Sequence, residues 1–181
     1  EMTRQQILKN SEHQFIEGDV EHWWHDETQR GIRTKISDDL LWLPYVTADY
    51  ITFTNDYGIL EDETYYLEGA VLSENEDEKY DLYKTSNIKE SLYKHCIRAI
   101  EKTLNFGEHG LPKMGTGDWN DGMNNVGSKG IGESVWLGFF MYDVLKKFIP
   151  ICKYKEDEKK VEKYQQIIEN LRRALNNNAW D

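Results

Sequence analysis

Apolar residues recur at intervals of three and four along five stretches of the chain, the period of a helix that buries one face. Ile7, Leu8, Phe15 and Ile16 predict a helix over residues 3–16, ended by Gly18. Leu40, Leu43, Val46, Tyr50 and Phe53 predict a second over 39–57, capped by Ser37 or Asp38, with Pro44 tolerable only near its start. Asn87 and Glu90 have the spacing of a capping box. They open a predicted helix reaching about residue 105, with Ile88, Leu92, Cys96, Ala99, Ile100 and Leu104 as its stripe. Residues 132–149 are apolar on nearly every side, which predicts a helix buried on most faces and closed by Pro150. Val161, Tyr164, Ile167, Ile168, Leu171 and Leu175 predict a last amphipathic helix, next to the solvated charge run 153–160.

The connections are long. Residues 21–33 are polar and aromatic without clear periodicity, and 58–85 are acidic and irregular. Within the latter, Tyr65-Tyr66-Leu67 and Ala70-Val71-Leu72 suggest a short strand or hairpin, and 73–81 a charged surface loop. Loops beyond about 12–15 residues are usually functional or disordered. The Trp and His content of residues 21–33, and the Gly-rich composition of 107–130 with its Trp and His, argue against simple disorder there. The expected fold class is all-α, with the site carried on connections at one end, as in an α/α toroid.

The stretch Met114-Gly115-Thr116-Gly117-Asp118-Trp119-Asn120-Asp121-Gly122-Met123-Asn124-Asn125 carries the most chemistry. Glycine at this density lets a ligand approach the backbone closely. Trp119 offers a flat face for a sugar ring, with an N–H as polar handle. Asp118 and Asp121 stand three apart, so their repulsion can raise one carboxyl towards the range of a general acid. On composition alone, a sugar site with one proton donor and a solvated Gly/Asn/Asp turn explain this loop equally well.

Composition narrows the partners. The 181 residues suffice for one domain with a real core, or for a piece of one. Thirty-three acidic against 22 basic residues give a net charge of −11, which argues against nucleic acid and against an anionic membrane surface. It leaves room for a single phosphate ion, which needs only local donors. Six Trp and eleven Tyr suit glycan stacking, and equally an ordinary core. Cys96 and Cys152, far apart in helix-like contexts, are expected as buried free thiols in a reducing compartment. No signal peptide and no apolar run long enough to span a bilayer is present, so the expected location is cytoplasmic, alone or as the cytoplasmic part of a larger membrane-bound protein. The ends, Glu1-Met2 and Ala179-Trp180-Asp181, suggest a segment of a longer chain.

Four segments, in order, resemble glycoside hydrolase family 94, the cellobiose, chitobiose and β-1,2-oligoglucan phosphorylases. They are His22-Trp23-Trp24-His25, Arg33-Thr34-Lys35-Ile36-Ser37-Asp38-Asp39-Leu40-Leu41-Trp42-Leu43-Pro44, Gly117-Asp118-Trp119-Asn120-Asp121-Gly122-Met123-Asn124 and Gly132-Glu133-Ser134-Val135-Trp136-Leu137-Gly138. The likeness is greatest to the phosphorylase-like domain of cyclic β-1,2-glucan synthases. It implies that residues 1–181 are part of an (α/α)6 catalytic barrel. It also implies inverting phosphorolysis of β-linked glucosides, β-1,2-glucan before cellobiose, giving α-glucose 1-phosphate. Phosphate is then the co-substrate and no cofactor is needed. Because phosphate is already a nucleophile, one acid replaces the acid and base of an inverting hydrolase.

By the same resemblance Asp121 is the general acid, Trp119 lines the site, and Arg33 and Asp39 hold hydroxyls of the transferred sugar. Asp118 is structural or tunes its neighbour. The family's phosphate-binding Arg, eleven residues before Arg33, is here replaced by His22. Its remaining phosphate ligands, a His and a Thr-Gly pair, lie downstream of this chain. The resemblance therefore implies an inactive isolated chain, completed by the rest of its parent, and a homodimer as one assembly. An inverting hydrolase using Asp118 or Asp39 as base, and a non-catalytic glycan-binding fragment, are the alternatives.

Other readings are weaker. His22 and His25, with Asp26 or Glu27, lack a zinc-binding pattern; contacts to sugar or phosphate, or loop packing, explain them better. The Asp118–Gly122 run is not a calcium loop, because its glycine falls early and no twelfth-position Glu follows. Trp136, Phe139 and Phe140 stand at helical spacing and are expected in the core, with Glu133 and Ser134 at the helix start.

Overall fold

The computed structural model describes residues 1–123, 125–127 and 129–180. Asn124 of the glycine-rich motif and the terminal Asp181 lie outside the described residues. The chain divides into two compact units, Glu1–Thr103 and Leu104–Asp181.

The first unit is mixed. Helices α1 (Met2–Glu12), α2 (Asp39–Thr54) and α3 (Leu92–Thr103) accompany strands β1 (Glu21–His25), β2 (Arg30–Thr34), β3 (Glu63–Glu68), β4 (Glu78–Leu82) and β5 (Lys84–Ser91). The strands form two antiparallel sheets, β1-β2-β4 and β3-β5. Helix α2 packs on α3, and α1 on α2 and β3. Phe15, Leu41, Ile51, Ile59, Leu60, Tyr66, Leu92, Cys96 and Ile100 are buried there.

These strands correct the all-α expectation. Along β1 the burial alternates from Trp23 to His25, and along β4 from Glu78 to Leu82, the period of a strand with one solvated face. Residues 21–33 are thus a hairpin, and part of the supposed surface loop 73–81 is β4. The capping box is absent as well. Residues 84–91 pair with β3 from Lys84↔Glu68 to Ser91↔Glu63, so the helix starts only at Leu92. Glu90, freed from a capping role, accepts from Tyr66 Oη at 2.9 Å and Arg98 Nε at 2.8 Å. From Leu92 on, the predicted stripe holds: Leu92, Cys96, Ala99 and Ile100 are buried.

In the second unit a long loop leads into α4 (Val135–Tyr154) and α5 (Glu158–Asn178), which pack as a helical hairpin. Leu137, Met141, Val144, Leu145 and Phe148 of α4, and Val161, Tyr164 and Leu171 of α5, are buried. Pro150 does not close α4. It lies inside the helix, and the buried Ile151 and Cys152 carry the helix through its final turns. Cys96 and Cys152 are buried thiols outside any disulfide, as expected.

Candidate active-site elements

The candidate residues fall on two structures, a pocket in the first unit and a loop in the second. The pocket lies between β1 and the start of α2. Asn10, Glu21, His22, Trp24, Asp39 and Trp42 are among the residues lining a cavity of about 180 Å³. Asp39 is the first residue of α2, where the partial positive charge of a helix start favours a carboxylate. His22 Nδ1 donates to both its oxygens, at 2.9 Å and 3.0 Å, and Thr34 Oγ1 donates to Oδ2 at 3.2 Å. Two of the candidate residues are therefore in direct contact.

Trp24 forms one wall and is held on both sides. Its ring stacks on His13 with centroids 3.7 Å apart, and Nε1 donates to Asp26 Oδ1 at 2.9 Å. His13 in turn is bound through Nδ1 to Glu21 Oε2 at 2.5 Å. The other Glu21 oxygen is buried with no hydrogen-bond partner among the described residues. It sits over Gly31, where any Cβ would collide with the carboxylate, so glycine makes room for Glu21. Glu21, His13 and Trp24 were not singled out as site residues by sequence reasoning. No periodic signal joins residue 13 to residue 21, and residues 21–33 have no clear periodicity that would mark an inward face; the alternation along β1 is visible only in its burial.

Arg33 is almost wholly buried, at 1% exposure. All five of its N–H donors have protein acceptors. Nε and Nη2 donate to Asp19 at 2.6 Å and 2.8 Å, Nη2 to Glu17 at 3.0 Å, and Nη1 to the carbonyls of Gly69 and Ala70 at 3.2 Å. Its guanidinium also covers the Phe15 ring at 3.9 Å. Burial works against the charge, but the bonds and charges of Asp19 and Glu17 outweigh it and raise the pKa further. A sugar hydroxyl at Arg33 would have to displace one of these acceptors.

In the second unit the two loop carboxylates have different surroundings. Asp118 is buried, and both its oxygens are engaged. Oδ1 accepts from Asn120 N at 3.0 Å, and Oδ2 from Ser134 Oγ at 2.5 Å. Ser134 is the N-cap of α4, its Oγ accepting from Leu137 N at 2.9 Å. Asp118 thus ties the loop to the helix start. Asp121 is exposed at the head of a 3-10 turn, Asp121–Met123.

Trp119 is 68% exposed, with its ring 6.1 Å from that of the half-exposed Trp136. Close backbone approach shapes the same loop: a Cβ on Gly127 would strike the Gly115 carbonyl. Glu133 braces its base, accepting from the backbone N–H groups of His109 and Leu111 at 3.0 Å and 2.9 Å. Although burial opposes it, these bonds hold the Glu133 carboxyl below its usual range. Among the described residues no cluster of His, Cys, Asp or Glu is arranged to hold a metal ion, and no helix is long and apolar enough to cross a membrane.

Comparison with known proteins bears on what these elements serve. The chain is 39% identical to the cyclic beta-(1,2)-glucan synthase NdvB of Rhizobium meliloti over 99% of its own length and 6% of that protein's. It is 28% identical to solabiose phosphorylase of Paenibacillus borealis, over 80% of this chain and 17% of the enzyme. With N,N'-diacetylchitobiose phosphorylase of Vibrio furnissii it shares 24% identity, over 83% of this chain and 16% of the enzyme. The chain therefore spans less than a fifth of the length of these relatives. The family described as "Glycosyl hydrolase 94 superfamily, catalytic domain" matches residues 1–181, and to that family the chain belongs.

Proposed function

We propose that this chain is part of an (α/α)6 barrel that performs inverting phosphorolysis of β-1,2-linked glucan, with Asp121 as general acid. Asp121 gives its proton to the glycosidic oxygen while a phosphate oxygen attacks the anomeric carbon. The C1–O bond breaks, α-glucose 1-phosphate leaves with the new C1–O–P linkage, and the glucan is one unit shorter. Asp121 then recovers a proton from solvent. In the second unit Trp119 offers a stacking face for a sugar ring; in the first unit Asp39 accepts hydrogen bonds from sugar hydroxyls with His22 alongside, and Arg33 stiffens the β1–β2 hairpin through Asp19 and Glu17.

The observation that carries this reading is the contrast within the loop. Asp118 has both oxygens spent on Asn120 and Ser134, whereas Asp121 stands exposed two residues from an exposed Trp119. A carboxylate bound to a helix cap is poorly placed to serve as a base to water, which disfavours the hydrolase alternative at Asp118. The preference for β-1,2-glucan rests on the likeness to the glucan synthase, and a need for the rest of the parent chain rests on the small share of each relative that this chain spans.

The test uses the full-length protein with β-1,2-oligoglucan, with and without phosphate, and reads sugar phosphates by phosphorus NMR. Glucose 1-phosphate should form only with phosphate, and Asp121→Asn should lower the rate by about a hundred- to ten-thousand-fold. The 181-residue chain alone should show no turnover. Release of free glucose at the same rate without phosphate would replace this reading with a hydrolase.

A further inference from the structure

We infer that His22 is the positioning residue of Asp39, placed for that purpose by a β-bulge, and is not a ligand of the attacking anion. The inference rests on the functional reading above and assigns a role within the same site.

The bulge is explicit in the strand register. Trp23, Trp24 and His25 pair with Ile32, Gly31 and Arg30, one residue against one. Glu21 pairs with Arg33, so two steps along β1 match a single step along β2, and His22 is the extra residue. In a regular strand, neighbours face opposite sides. Here the neighbours Glu21 and His22 both line the cavity, together with Trp24. Trp23 and His25 belong to the other face, in ring contact with Tyr80. A bulge is the usual device for re-aiming one side chain next to a site.

The re-aimed ring meets Asp39 symmetrically, with Nδ1 2.9 Å from one oxygen and 3.0 Å from the other. Nδ1 facing a carboxylate fixes the tautomer with the proton on that nitrogen. A carboxylate accepts about four hydrogen bonds. With His22 on both oxygens and Thr34 on Oδ2, the plane of Asp39 is set, and with it the directions open to sugar hydroxyls. The same geometry speaks against an anion at Nδ1, because phosphate approaching that nitrogen would have to displace the Asp39 carboxylate that already occupies it.

The experiment compares wild type, His22→Ala, His22→Asn, Asp39→Ala and the His22→Ala/Asp39→Ala double variant of the full-length protein. Glucan affinity is measured by calorimetry without phosphate, and KM is measured for each substrate. His22→Ala should weaken glucan binding and lower kcat/KM for glucan by roughly ten- to a hundred-fold, with the KM for phosphate unchanged. His22→Asn keeps an N–H near the place of Nδ1 and should recover most of the loss, which separates positioning from a folding defect. In the Asp39→Ala background, His22→Ala should cost nothing more. Additive losses, or a raised phosphate KM with glucan affinity intact, would overturn the inference and leave the proposed reaction standing. A wild-type protein that binds no glucan would overturn both.

Discussion

His95 has no exposed surface, and both of its ring nitrogens are used. Nδ1 donates to Gln14 Oε1 at 2.7 Å, and Nε2 lies 3.0 Å from Thr64 Oγ1, whose hydroxyl can donate to it. A neutral ring satisfies both partners, and burial penalises the charged one, pushing the pKa from 6.5 down to about 4. The Thr64 carbonyl, which a protonated Nε2 can donate to, and the nearby Glu90 both favour the charged ring and oppose the shift without cancelling it. The sign of the consequence is fixed. Above pH 6.5 both folded and unfolded chains carry a neutral His95, and its contribution is complete. As the pH falls towards 4, the unfolded chain binds a proton that the folded one refuses, so stability drains away. The loss amounts to roughly 2–3 kcal/mol between pH 6.5 and 4.5. Urea unfolding at a series of pH values should show this decline, and His95→Gln should flatten it. An unchanged slope in the variant would assign the decline to other groups. Carboxylates held low by their partners, such as Glu90 and Glu133, begin to lose their contributions only near pH 4.5 and lose most of them below it.

At the scale of elements, α3 and α4 start by different devices, although the sequence suggested a capping box for the first and only a helix start at Glu133 and Ser134 for the second. Ser134 is a working N-cap, bonded to Leu137 N and to Asp118. Asn87 lies within β5 and caps nothing. Ser134→Ala should therefore cost about 1–2 kcal/mol, whereas Asn87→Ala should stay within about 0.5 kcal/mol, both read from chemical denaturation. Equal costs would restore the capping-box reading. The contrast also shows what was legible. Helices with an apolar stripe of three-four spacing could be read, since each needs only its own residues. Of the strands, β3 was legible in part at Tyr65-Tyr66-Leu67; the others were not, because they are short and stabilised by partners far along the chain, as Lys84 is by Glu68. The loop around Asp121 was legible from its unusual composition. The surroundings of Asp39 were not: residue spacing contains nothing that says a bulge will turn His22 towards it, or that Arg33 will spend every donor on Asp19, Glu17 and two carbonyls.

For the whole molecule the dominant electrostatic fact is the excess of acid, 33 carboxylates against 22 cations. Added salt acts on two opposing contributions. It weakens ion pairs such as Lys9–Asp26 at 2.7 Å, Arg98–Glu90 at 2.8 Å and Arg172–Glu169 at 3.0 Å, each worth about 0–1 kcal/mol when exposed. It also screens repulsion among carboxylates spread over the surface. Distance decides between them. Raising ionic strength from about 0.01 to 0.15 M shortens the screening length from about 30 Å to about 8 Å. Pairs in contact lie well inside either length and are little affected, whereas repulsions between separate carboxylates pass from unscreened to largely screened. Arg33 with Asp19 is shielded by burial in both conditions. Moderate sodium chloride should therefore stabilise this chain, raising Tm by about 2–4 °C, the equivalent of roughly 1 kcal/mol at this length. Thermal unfolding followed by circular dichroism across that range tests the balance, and a Tm that falls with salt would mean that the surface pairs outweigh the net charge.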